Sequence, residues 1–115
     1  MYKFHYEEVA VEEGSRQKLG EREAIEYSIK LLRIAQVTGA KSSEAVAALT
    51  FVNSLWGFFL EQLASSENAL PDELRAKLIS IGIWIIREAD AIADTRSTNF
   101  AGLIDVSQSI AEGLQ

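Results

Sequence analysis

The chain has 115 residues, 48% hydrophobic and 24% charged, with one histidine and no cysteine. That is enough for one domain with a sizeable core, is too apolar for a disordered chain, and leaves no disulfide framework or thiolate chemistry. The net charge of −6, with eleven scattered basic residues, works against direct nucleic-acid binding and against anionic membrane surfaces.

At the start, Tyr2, Phe4 and Tyr6 alternate with Lys3 and His5 as they would in a strand. A lone strand has no sheet to join here, so the segment reads as extended, with its aromatics laid on the rest of the fold. Val9 to Ser15 reads as a linker. The opening lacks the basic-then-apolar order of a signal peptide. No stretch reads as long enough to cross a membrane, so a cytoplasmic protein is expected.

Four helical segments follow, giving an all-α, small four-helix bundle-like domain: an extended N-terminal segment over 1–15 and a bundle over 16–115. The first helix is expected to begin between Arg16 and Glu21 and to end at Thr38-Gly39, since glycine suits the left-handed position after a helix. Ala24, Ile25, Leu31, Leu32 and Ala35 share its apolar face. The second runs from about Ser43 to Ala64, capped by Ser42 or Ser43. Ala45, Leu49, Val52, Trp56, Phe59 and Leu63 form its main stripe, and Phe51, Leu55 and Phe58 widen it.

The third helix opens at Pro71, which lacks the N–H that a first helical position leaves unused. Asp72 and Glu73 then suit the positive end of the helix dipole. It runs to about Asp94 through Leu78-Ile79-Ser80-Ile81-Gly82-Ile83-Trp84-Ile85-Ile86, apolar on nearly every side. A helix apolar all round must be covered all round, so this one is expected to be the most buried, with Ile81 and Ile85 in the core. The fourth runs from near Asn99 toward Gln115, with Ser97, Thr98 and Asn99 offering capping oxygens. It has one narrow apolar face of Phe100, Leu103, Ile104, Ile110, Ala111 and Leu114. Gly57 and Gly82 stand inside helices within two residues of Trp56 and Trp84. An interior glycine costs about 1 kcal/mol against alanine, so each is expected where a neighbour packs on bare backbone, with a kink used for function as the competing reading.

No constellation supports catalysis. His5 is the only histidine, and metal sites need several convergent ligands. There is no phosphate-binding glycine loop and no nucleophile motif. The carboxylate pairs Glu7-Glu8, Glu12-Glu13 and Asp72-Glu73 are adjacent in sequence and do not converge as an acid and base would. No enzyme, cofactor or metal is expected.

Five stretches stand out together: Met1-Tyr2-Lys3-Phe4-His5-Tyr6, Leu55-Trp56, Glu67-Asn68-Ala69-Leu70-Pro71-Asp72-Glu73-Leu74-Arg75-Ala76, the Leu78–Trp84 run with Arg87-Glu88-Ala89, and Asn99-Phe100-Ala101-Gly102-Leu103-Ile104. With them the chain resembles the FlaF family of alphaproteobacterial flagellar biosynthesis regulators. The resemblance covers nearly the whole chain, and its motifs are packing and capping residues that name no site. It implies a small cytoplasmic protein needed for flagellin production and export. Two roles are open: a flagellin-binding export chaperone, or a post-transcriptional regulator of flagellin synthesis acting through a protein such as FlbT. A chaperone would hold a helical flagellin segment in an apolar groove. The apolar residues beyond the main stripes, Phe51, Leu55, Phe58, Ile79, Ile83, Trp84 and Ile86, are the candidate partner surface. Burial under the first helix and the N-terminal aromatics is their competing use.

Overall fold

Three short loops with distinct chemistry set the helices. The computed structural model describes residues 14–114, with side chains from residue 20 onward. The expectations for the N-terminal aromatics, His5 and the linker up to residue 13 lie outside the described residues. The helices are α1 (Gly14–Thr38), α2 (Ser43–Ala64), α3 (Asp72–Ala93) and α4 (Phe100–Gly113), and no strand occurs among the described residues. α1 therefore starts before Arg16, and Gly14 and Ser15 belong to it rather than to a linker.

Gly39 closes α1 with φ +103°, the left-handed conformation that favours glycine, and its N–H donates to the Ala35 carbonyl at 2.8 Å. Ser42 caps α2, its hydroxyl accepting from the Ala45 N–H at 3.0 Å. Between α2 and α3, Asn68 Nδ2 donates to the Gln62 carbonyl at 3.0 Å and its Oδ1 accepts from the Leu70 N–H at 3.0 Å. Pro71 sits one position earlier than expected: it is the extended residue before the helix, with ψ 144°, and Asp72 is the first helical residue.

α3 ends in a left-handed residue that is not glycine. Thr95 has φ +62°; its N–H donates to the Ile92 carbonyl at 3.1 Å, and the Arg96 N–H donates to the Ala91 carbonyl at 2.8 Å. That pair of bonds is the Schellman motif, in which glycine is the usual central residue. Asn99 then caps α4, its Oδ1 accepting from the Gly102 N–H at 3.0 Å.

α1 packs between α4 and α2, α2 packs between α1 and α3, and α3 and α4 touch only lightly. This arrangement corrects the expectation that α3 is the most buried helix. α2 buries eight residues, Ala45, Ala48, Leu49, Val52, Leu55, Trp56, Phe59 and Leu63; α3 buries only Gly82, Ile85, Ala89 and Ile92. Ile85 is fully buried as expected, but Ile81 is half-buried. The reason is geometric: α3 has one close neighbour, so one face is covered whatever the rest of its sequence offers. α4 buries one face, through Phe100, Leu103, Ile104, Ser107 and Ala111.

α2 also corrects the expectation about membrane-spanning length. At 22 residues it is long and apolar enough to cross a membrane by length and composition. Eight of its apolar side chains are used in the core, where Trp56 meets Phe59 edge-on at 5.2 Å between ring centroids.

The two interior glycines differ. A Cβ on Gly82 would lie 2.9 Å from Trp56 Cε3 and 2.9 Å from Leu60 Cδ2, so α2 does pack on bare backbone there. A Cβ on Gly57 would meet nothing within 4 Å, so the same expectation fails for Gly57.

Candidate apolar groove

α3 is longer than α4, and the difference opens the structure at one end. At 1.5 Å per residue, 22 residues of α3 run about 33 Å and 14 of α4 about 21 Å. The loop after α3 starts α4 near the C-terminal end of α3. The first turns of α3 therefore extend past the helix that could have covered them. Leu74 is 44% exposed and Leu78 half-buried, although both share the face that buries Ile85 and Ile92.

The result is a groove of about 390 Å³. One wall is the start of α3, with Leu70, Leu74 and Leu78. The other is the last turn of α4, with Ile110, Gly113 and Leu114. The floor is Ile25 of α1 and Trp56, Phe59 and Leu63 of α2. Polar groups stand at the margins: Glu21, Gln62, Asn68 and Ser109. The floor is buried, while the two walls carry the exposed or half-buried side chains. Such a surface can take apolar side chains out of water at about 25 cal/mol per Å². Among the described residues, no group of three or more His, Cys, Asp or Glu side chains is placed to hold a metal ion.

The residues singled out from the sequence are elsewhere. Leu55 is in the core. Phe51 and Phe58 are half-buried; Phe51 meets Tyr27 of α1 edge-on at 5.0 Å. Ile79 and Ile86 are half-buried on α3, and Ile83 and Trp84 are each 40% exposed. Ile83 and Trp84 are adjacent in sequence and so point about 100° apart. None of the seven lines the groove. The groove is built instead from residues read as core stripes: Trp56, Phe59 and Leu63 on α2, Leu74 and Leu78 on α3, Ile110 and Leu114 on α4. The signal in the sequence that could have found it is the unequal length of the third and fourth helices.

A helical bundle with an apolar groove at one end is a fold suited to holding another chain. The chain belongs to the flagellar protein FlaF family, whose family model matches residues 2–114. No curated protein and no solved structure matches it.

Proposed function

We propose that this flagellar protein is a non-enzymatic, cytoplasmic export chaperone that holds a helical segment of flagellin in the groove between α3 and α4. The observation that carries the reading is the groove itself: a buried apolar floor of Ile25, Trp56, Phe59 and Leu63 between two walls, one of which leaves Leu70 and Leu74 in water. Leaving such a surface open costs solvation free energy that a partner recovers. An amphipathic helix fits that shape, since its anchors at i, i+3/i+4 and i+7 make one row. Membership of a flagellar family supports flagellin as the source of that helix.

The test compares two substitutions on the same helix. Leu74 and Ile83 are similarly exposed, so aspartate at either position leaves the core intact. Leu74 lines the groove and Ile83 does not. Leu74→Asp is expected to lose flagellin in co-purification while keeping its helical circular dichroism, and Ile83→Asp to retain it. Undiminished capture by Leu74→Asp removes the groove as the site. A parallel arm with FlbT in place of flagellin distinguishes the chaperone from the regulator: capture of FlbT alone assigns the second role.

A further inference from the structure

We infer that residues 1–6 of this chain dock in the groove between α3 and α4, rings inward, and hold it until a partner displaces them. The displacement rests on the chaperone reading above; the docking does not. The first argument is reach. The groove lies at the end of the bundle where α1 begins: its floor includes Ile25 of α1, and Glu21 stands at its margin. Ile25 is about 16 Å along the helix from Gly14, the first residue of α1. Residues 7–13 span up to about 23 Å when extended. They can therefore carry residues 1–6 back along α1 to the groove.

The second argument is spacing. Tyr2, Phe4 and Tyr6 alternate with Lys3 and His5. In an extended conformation the three rings share one side and repeat about every 6.6 Å. The groove repeats at nearly the same interval. Leu74 and Leu78 on the α3 wall, and Phe59 and Leu63 on the floor, are each about 6 Å apart along their helices. Successive rings can then sit beside successive apolar side chains, and Trp56 and Phe59 offer them edge-to-face contact. Lys3 and His5 point to water.

Charge and tethering favour this occupant over a second copy of the chain. The four glutamates of residues 1–13, Glu7, Glu8, Glu12 and Glu13, all lie in the connecting stretch, and residues 1–6 carry no carboxylate. Among the described residues Glu21 is the one charged side chain that lines the groove, so the entering rings bring no like charge to it. A short tether supplies the segment at an effective concentration of about 1 mM, far above a second chain at micromolar protein.

The experiment uses the absence of cysteine from the chain. Leu74→Cys and Ile83→Cys each place a lone thiol at a similarly exposed point of α3, one inside the groove and one outside it. Each is made in the full chain, with and without Tyr2→Ser, Phe4→Ser and Tyr6→Ser together, and alkylation by N-ethylmaleimide is timed. At position 74 the thiol is expected to react about tenfold faster once the rings are removed, and at position 83 equally fast in both chains. Equal rates at position 74, or the same acceleration at both positions, overturns the inference. So does protection that grows with protein concentration, which assigns the groove to a second copy.

Flagellin capture by the full chain with the three serines is the second arm. It is expected to be tighter by about the same tenfold, because an occupied groove lowers apparent affinity by the fraction left open. Where Leu74→Asp loses flagellin, unchanged or weaker capture by the serine chain overturns the inference. Capture lost in Leu74→Asp with no protection at position 74 keeps the chaperone reading and overturns this one. Protection at position 74 with capture untouched by Leu74→Asp supports the docking and overturns flagellin as the displacing partner.

Discussion

The same substitution at two glycines should move stability in opposite directions. Alanine in a helix interior is worth about 1 kcal/mol over glycine. At Gly57 the new methyl meets nothing within 4 Å, so that gain stands alone. At Gly82 it arrives 2.9 Å from both Leu60 Cδ2 and Trp56 Cε3. Overpacking of this kind costs about 1–3 kcal/mol. The Leu60 methyl can swing aside; the indole is buried and held edge-on by Phe59. Set against the alanine preference, Gly82→Ala should lose about 0–2 kcal/mol, toward the upper end because the indole cannot move. With about 4 °C per kcal/mol for a domain of this size, Tm should fall by up to about 8 °C in Gly82→Ala and rise by about 4 °C in Gly57→Ala. Thermal melts followed by circular dichroism read both, and urea titrations at constant m confirm that stability alone has changed. Leu60→Ala should make Gly82→Ala milder, because it empties the space the methyl needs. If Gly82→Ala proved as stabilising as Gly57→Ala, the close approach of α2 to α3 at that point would be refuted.

Ile85→Ala, at a fully buried site, should cost about 2–5 kcal/mol, whereas Ile81→Ala at a half-buried one should cost about 1–2 kcal/mol, compared by urea midpoint. Thr95→Gly should stabilise by about 1 kcal/mol, since it removes a β-branched residue from the left-handed conformation at the end of α3; a drop in Tm would show that the threonine makes a compensating contact. Asn99→Ala should cost about 0.5–2 kcal/mol by removing the bond to the Gly102 N–H. Hydrogen exchange should then accelerate at the start of α4 before it does so elsewhere.

The parts of the fold that could be read from the sequence are those decided within a few residues. The bounds of α2, the left-handed Gly39, and the capping oxygens at Ser42 and Asn99 all depend on local backbone chemistry, and the chain carries the side chains that chemistry requires. Thr95 escaped notice because the left-handed position carries no glycine to mark it. The rank order of burial failed for a different reason. The isoleucines of α3 show how much apolar surface the helix has, not how many neighbours cover it. That number follows from the packing order, with α2 rather than α3 between two helices. The residues that line this groove were not singled out, for the same reason: Leu74 and Leu78 have the spacing of core residues, and the shortness of α4 leaves them without a cover.

The pairing of α1 with α4 sets a timetable for the chain as it is made. α1 meets α2, and α2 meets α3, in order of synthesis; α4 must return across the whole sequence, with Arg33 donating to Gln108 at 3.3 Å over 75 positions. Closing so long a loop costs entropy that neighbouring pairings avoid. From the emergence of α1 to that of α4, about 3–12 s pass at ordinary elongation rates. During that interval Ile29, which lies beside Ala111 in the finished fold, has no cover. A ribosome that stops before residue 100 therefore releases three helices with a sticky flank, and its product should aggregate where the full chain stays in solution.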